Sequence, residues 1–355
     1  IILRASKKPP CIQVTIAAQN GAARRTFFAG TGATRSRSLN MKKFDIYADS
    51  GANIPDSIVD EYNINVVPFT CVIDGAETPC YKKGQSSREM ALKFYAAMRE
   101  GCDTSTTLIN CDKFYEAIEP SLKKGNDVII TTISSGISGT YKQACAAAER
   151  AMENYPELKV HVFDAYNASM GEGLFTLAAA RMRNENKTYD KVCSWLEANK
   201  LNMHSVFTVS DLKYLKKGGR VSATKAIAGT LLNIKPVLVA GAHGTIEVAE
   251  TVRGRKKALA RLAEMFGEEV VNPSGQTISI CHADCEDDAN YLADLIRAKG
   301  ASDIIIEVYD ICTGSHVGPG TVALFFMGED RSVTLAAKEK NSVIKNIAAK
   351  FRRGE

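Results

Sequence analysis

The spacing of apolar and polar residues predicts alternating strands and helices in residues 41–200. Short apolar runs predict the strands, and longer runs with apolar residues every three or four positions predict the helices. The predicted strands are 44–49, 65–75, 127–132 and 159–165, and the predicted helices are 86–101, 140–155 and 171–186. Strands separated by helices pair in parallel through right-handed crossovers, so the expected fold is α/β with a doubly wound parallel sheet.

The second half of the chain has a different pattern. After a helix near 189–199, the predicted strands are 204–210, 236–250, 276–283 and 303–311, with helices at 254–266 and 286–299. The turn "GAHGT" inside 236–250 predicts an antiparallel hairpin, so this half is expected to be a mixed α+β domain. We place the domains at 41–200 and 201–330, followed by a helical tail at 331–355.

Composition is that of a soluble globular protein, with 45% apolar and 24% charged residues and no apolar run long enough to span a membrane. Residues 1–40 contain seven Lys or Arg and no acid, and the remaining residues contain 38 Lys or Arg against 40 acids. The basic excess thus lies in an extension outside the fold, either a transit-like segment or sequence upstream of a start at Met41. The near-neutral body predicts no nucleic-acid partner.

The ten cysteines show no CxxC spacing. The closest group, "CHADC" at 281–285, lacks the further ligands of a structural zinc site, so no metal and no resident cofactor are expected. Free thiols are typical of a cytoplasmic protein.

Hydroxyl-rich loops follow the predicted strands of the first domain, at 48–51, 102–110 and 132–141. The last, "TISSGISGTY", leads into a helix whose free N–H groups favour an anion. Ser, Thr and Gly are also ordinary turn residues, but three such loops at one sheet edge indicate a site for a carboxylate or phosphate.

Nucleotide and hydrolase motifs are missing from the sequence. It contains no GxxxxGK[ST] and no GxSxG, and the "GEG" at 171–173 is interpreted as a close-packing feature. In the second half, a Gly-Gly turn presents Arg220, and His316 lies in "GSHVGPG", which is expected to be a rigid exposed loop.

Taken in order, these motifs resemble the DegV family of bacterial fatty-acid-binding proteins. The resemblance runs from about residue 43 to 327 through "ADSGANIP", "DTSTT", "ISSGISGTY", "LKYLKKGGRVS" and "GSHVGPGTVALFF". It implies a two-domain protein that holds one long-chain fatty acid between its domains. A separate ATP-binding fatty acid kinase subunit would phosphorylate the carboxylate to an acyl phosphate, within phospholipid metabolism.

By motif position, the resemblance implies that Thr104, Ser134 and Ser135 contact the carboxylate. Arg220 and His316 would face the head group and the kinase as cationic donors. Two departures from the family pattern are Thr106-Thr107, where Gln-Pro is usual, and Ala165, where Ser is usual.

The leading hypothesis is therefore a fatty-acid carrier with no catalytic residues of its own. The alternative is a stand-alone phosphotransferase or hydrolase that uses His316 and a serine of the Ser134–Ser138 loop. A third hypothesis, nucleic-acid binding, rests only on the basic ends and "RGRKKALARL" at 253–262.

Overall fold

The computed structural model describes residues 43–221 and 233–335. The expected extension at 1–40 and most of the expected helical tail lie outside the described residues. Thirteen strands lie within the described part. They are β1 (Phe44–Asp49), β2 (Asn65–Val67), β3 (Thr70–Ile73), β4 (Ala76–Pro79), β5 (Thr104–Thr107), β6 (Asp127–Thr132), β7 (Val160–Asp164), β8 (Met203–Thr208), β9 (Ile234–Ala240), β10 (Ile246–Arg253), β11 (Thr277–His282), β12 (Asp303–Val308) and β13 (Val322–Met327).

Ten α-helices lie in the same described ranges. They are α1 (Asp56–Glu61), α2 (Ser87–Glu100), α3 (Cys111–Lys123), α4 (Thr140–Asn154), α5 (Met170–Asn184), α6 (Tyr189–Asn199), α7 (Lys213–Lys217), α8 (Arg255–Glu269), α9 (Glu286–Arg297) and α10 (Ile311–Val317). Helix α2 begins as its sequence predicts, because the Ser86 hydroxyl accepts the Glu89 N–H at 3.2 Å, and it ends at Gly101 with φ 98°.

The first sheet is entirely parallel, with strand order β2-β1-β6-β7. Strand β6 lies in its middle and is buried along its whole length, as its continuous apolar and β-branched sequence requires. Because β1, β6 and β7 run in the same direction, the loops after Asp49, Thr132 and Asp164 meet at one edge of the sheet. The predicted parallel α/β sheet is confirmed.

The predicted strand at 65–75 is two strands in different sheets. Pro68 lies between them, and because proline has no N–H to donate to a ladder, pairing stops there. Beyond it, β3 pairs with β4 and β5 in a separate three-stranded antiparallel sheet.

The second sheet has six strands in the order β10-β9-β8-β13-β11-β12, and only β11 and β12 pair in parallel. The predicted β9–β10 hairpin and the mixed character of this sheet are confirmed. Its strands all follow residue 202 and those of the first sheet all precede 165, while the domain boundary near 200 stays a prediction.

Helix α5 lies between the two sheets and contacts β1 and β6 on one side and β8, β11 and β13 on the other. Its start is tightly packed: a methyl group built on Gly173 would lie 2.5 Å from the Ala52 carbonyl oxygen. The interpretation of "GEG" as a close-packing feature is confirmed. On the opposite face of the second sheet, α8 and α9 cover a separate apolar core.

Within the described ranges, no helix is long and apolar enough to cross a membrane.

Candidate functional site

A cavity of about 200 Å³ lies at the edge where the first sheet faces the second. Its walls are largely apolar and come from both halves of the chain. The apolar residues that line it include Phe69, Leu108, Ile133, Ile137, Ala168, Phe207, Leu215, Ala240, Ile246, Val317 and Phe325. Leu108 is 45% exposed, so the cavity opens to solvent beside it.

One end of the cavity carries four polar side chains, Thr106, Ser138, Arg220 and His316, which we call the polar cluster. The Thr106 hydroxyl and His316 Nε2 are 2.8 Å apart and share a hydrogen bond. Arg220 donates through Nε to the Ile137 carbonyl at 3.3 Å and through Nη1 to the Gly218 carbonyl. All four side chains are partly exposed, so a ligand in the cavity can contact them.

His316 lies in the last turn of α10, so the expectation of an exposed loop at "GSHVGPG" is wrong. The Asp310 carboxylate caps the start of this helix by accepting the N–H groups of Cys312 and Thr313 at 2.7 and 2.9 Å. Gly218 lies so close that a methyl group there would be 2.5 Å from His316 Nδ1. The missing side chain at residue 218 therefore lets the imidazole approach Arg220.

Burial, followed by the nearby Arg220 charge, lowers the pKa of His316 to about 4. The imidazole is consequently neutral at physiological pH. The expectation of two cationic donors is thus corrected: Arg220 carries the charge of the polar cluster, and His316 contributes a neutral hydrogen-bonding ring.

The loop at 133–139 connects β6 to α4, and backbone hydrogen bonds fix it at several points. The Ile133 N–H donates to Asp49 Oδ2 at 2.8 Å, and the Ser135 N–H donates to Asp164 Oδ1 at 3.1 Å. Ser138 accepts the Thr140 N–H at 3.2 Å at the start of α4. Backbone N–H groups bound to two carboxylates therefore fix the turn, and the Ser138 side chain faces the cavity.

Thr104, Ser134 and Ser135 do not line the cavity, so the geometry gives no support to their predicted contact with a carboxylate. Thr104 is buried two residues before Thr106 on the same face of β5. The Ser134 hydroxyl donates to the Gly244 carbonyl at 2.8 Å and ties this loop to the β9–β10 turn. The Ser135 side chain is exposed to solvent.

Sequence reasoning missed Thr106 as a site residue and considered Ser138 only for the enzyme hypothesis. Strand alternation places Thr104 and Thr106 on one face, but it does not show which of the two reaches the cavity. The start of α4 at Thr140 is a usable signal for Ser138, because the hydroxyl nearest a helix start lies where an anion is favoured.

A second polar feature, the carboxyl pair Asp49 and Glu172, is completely buried beside the cavity wall. Asp49 accepts the N–H groups of Gly51 and Ile133 at 2.9 and 2.8 Å, and Glu172 hydrogen-bonds to it. Burial, reinforced by the Asp49 charge, raises the pKa of Glu172 well above its usual range. Burial also raises the pKa of Asp49, to about 7, but its two N–H donors oppose that rise, so Asp49 loses its proton first and Glu172 keeps its own.

Comparison with known proteins gives a consistent result. The family model of DegV, described as a family of uncharacterised proteins, matches residues 43–329. A DegV domain-containing protein of Clostridium perfringens is 40% identical over 292 residues, covering 82% of this chain and 99% of that protein.

Solved structures agree in fold. A DegV lipid-binding protein from Thermotoga maritima matches with a TM-score of 0.70 at 29% identity. A fatty-acid-binding DegV family protein from Streptococcus agalactiae matches with a TM-score of 0.69 at 28% identity. Each match covers 81% of this chain and 99% of the other. The predicted two-part fold and the predicted family are both confirmed.

Proposed function

This chain belongs to the DegV family, and from that premise we propose that it binds one long-chain fatty acid in the cavity. The observation that carries the proposal is the cavity itself, which is apolar along its walls and polar at one end. Each methylene group that leaves water contributes about 0.8 kcal/mol, so an acyl chain binds such a cavity tightly with few polar contacts.

In this proposal, the carboxylate lies at the polar cluster. The Thr106 and Ser138 hydroxyls donate to it, since Thr106 can accept from His316 Nε2 and Ser138 can accept from Thr140 at the same time. Arg220 adds positive charge, because Nε and Nη1 are bonded to carbonyl groups and Nη2 has no protein acceptor in the described ranges. The site needs no cofactor.

We further propose that a partner kinase phosphorylates the bound acid. A carboxylate oxygen would attack the γ-phosphorus of ATP, ADP would leave, and an acyl phosphate would remain. The polar cluster lies beside the cavity opening at Leu108, where a partner can reach it. Arg220 is suited to the added phosphate, because a guanidinium group binds phosphate oxygens in a bidentate manner.

The competing hypothesis of a stand-alone hydrolase draws on the Thr106–His316 hydrogen bond, which joins a hydroxyl to an imidazole. A general base works best when its pKa is near the working pH, and the pKa of His316 is lowered to about 4. Moreover, His316 pairs with Thr106 rather than with a serine of the 134–138 loop. The carrier function is therefore favoured over the hydrolase.

Native mass spectrometry of the protein purified from cells, followed by lipid extraction, tests the proposal. We expect one bound long-chain fatty acid per chain. A protein that is empty as purified and takes up no added fatty acid would contradict the proposal.

The kinase step needs its own test with an ATP-binding fatty acid kinase subunit and ATP. We expect Arg220→Ala and His316→Ala to lower acyl phosphate formation far more than they lower fatty acid binding. Full acyl phosphate formation by both variants would remove the kinase-facing role from these residues.

A further inference from the structure

Strand β8 forms part of the cavity wall and carries a polar residue there. Met203, Ser205 and Phe207 alternate along one face of the strand, and Ser205 and Phe207 both line the cavity. Ser205 is 7% exposed and lies opposite Phe325 of β13, another lining residue. A hydroxyl therefore interrupts an otherwise aromatic part of the wall.

Ser205 lies toward the end of the cavity that is remote from Arg220. After Phe207, the chain leaves β8 and passes through α7 to reach Arg220, so the later part of β8 is nearer the polar cluster. The earlier part is fixed by Arg331, which donates to the carbonyl groups of Met203 and Tyr166 at 2.6 and 2.7 Å. A chain whose carboxylate lies at the polar cluster passes Phe207 before it reaches Ser205.

The Ser205 hydroxyl has no hydrogen-bond partner in the described part of the chain, and this distinguishes it from the other buried serines. Each of the other six uses its hydroxyl in a hydrogen bond with a protein atom; these are Ser50, Ser121, Ser134, Ser169, Ser279 and Ser315. The hydroxyl is therefore free to bond a polar group of a ligand in the cavity.

The neighbouring protein groups leave this hydroxyl without a partner. Asn167 lines the same region, but it donates Nδ2 to the Met203 carbonyl at 3.0 Å and packs its Oδ1 against Gly171. The lining near Ser205 also includes Ala168, Phe207 and Phe325, whose side chains offer no polar group.

We propose that Ser205 is a specificity-determining residue for a fatty acid whose chain carries a hydroxyl group, placed in the part of the chain remote from the carboxylate. The inference rests on the proposed function, because it takes the carboxylate at the polar cluster as given. A chain hydroxyl both donates and accepts, as the serine hydroxyl does, and the remaining methylene groups occupy the apolar walls. A saturated chain leaves Ser205 unpaired.

The test compares the affinities of stearic acid with those of 10-, 12- and 16-hydroxystearic acid, by isothermal titration calorimetry on the full chain. For at least one hydroxyl position, we expect wild type to prefer the hydroxy acid by about fivefold to tenfold, the value of one net hydrogen bond. In Ser205→Ala, we expect the ratio of hydroxy acid affinity to stearic acid affinity to fall to about one. Thermal unfolding checks that the variant is folded.

Ser138→Ala is the matched control. It removes a hydroxyl at the carboxylate end, so it should weaken both acids together and leave their ratio unchanged.

A wild-type ratio near one at every position overturns the inference, and so does a preference that survives in Ser205→Ala. In both cases stearic acid still binds, so the proposed function stands. Failure of stearic acid and all three hydroxy acids to bind wild type would instead remove the proposed function and the inference with it.

Discussion

The polar cluster and the carboxyl pair engage opposite ends of the same loop, at Ser138 and Ile133, yet they differ in nearly every physical property. The polar cluster is partly exposed, faces the cavity and consists of hydroxyls, a guanidinium and a neutral imidazole. The carboxyl pair is fully buried, is acidic and bonds to backbone N–H groups. The polar cluster is arranged to contact a ligand, whereas the carboxyl pair is arranged to bond the protein's own backbone.

The loop at 133–139 joins the two regions. Its first N–H is held by Asp49, and its Ser138 hydroxyl belongs to the polar cluster. We infer that the acidic groups fix the backbone so that the hydroxyl is positioned without an acid facing the ligand. Because an anion would be repelled by exposed carboxylates, the separation of the two regions is itself a functional feature. Substitutions in the carboxyl pair should therefore alter stability, and substitutions in the polar cluster should alter ligand affinity.

The largest expected effect is that of Asp49→Ala on stability. It removes the acceptor of two buried N–H groups, so the free energy of unfolding should fall by about 3 kcal/mol in urea denaturation. Asp112→Ala is the control, because Asp112 is an exposed partner of Arg150 and should cost less than about 0.5 kcal/mol. Equal losses in the two variants would show that Asp49 does not hold the loop.

Next in size is the effect of Thr106→Val on affinity. The change keeps the side-chain shape and removes the hydrogen bonds to the carboxylate and to His316, so palmitate should bind about tenfold more weakly and the free energy of unfolding should fall by about 1 kcal/mol. Thr104→Val is the matched variant, two residues away on the same strand face, and should leave the affinity unchanged. A greater loss of palmitate affinity in Thr104→Val would restore the role predicted from the sequence.

Glu172→Gln should change how stability depends on pH. The folded protein keeps the Glu172 proton above the usual glutamic acid pKa of 4.5, whereas the unfolded chain loses it there. Stability should thus fall as pH rises from about 4 toward and beyond neutrality, and Gln, which needs no proton, should flatten this fall. Thermal unfolding of wild type and Glu172→Gln between pH 5 and 8 measures this difference. Parallel curves of melting temperature against pH would exclude a buried protonated Glu172.

The smallest expected effect is that of Ser135→Ala. Its side chain is exposed and outside the cavity, so stability should change by less than about 0.5 kcal/mol and palmitate affinity by less than about twofold. A tenfold loss of affinity would instead place the carboxylate at Ser135.

Much of the fold was predictable, because apolar runs such as "DVIITT" and capped helices such as α2 carry their structure in local sequence. Strand β5, expected as part of a loop at 102–110, and helix α3 were missed, as were the strand break at Pro68 and helix α10. The strand break required recognition of a proline inside an apolar run, and α10 is a helix of seven residues whose glycines suggest a loop.

The site was predictable in type and less so in detail. Arg220 and His316 both line the cavity, whereas the hydroxyls that line it are Thr106 and Ser138. Which hydroxyl faces a cavity depends on strand register and on contacts such as that between Ser134 and Gly244, 110 residues apart. The carboxyl pair joins residues that only the fold brings together, so no local motif could reveal it.

The most direct test of the central claim compares the binding of palmitic acid with that of its methyl ester, in wild type and in Thr106→Val/Ser138→Ala. If the carboxylate lies at the polar cluster, wild type should prefer the acid by roughly a hundredfold, and the double variant should lose at least about tenfold of that preference. A double variant that keeps the full wild-type preference would contradict this placement of the carboxylate.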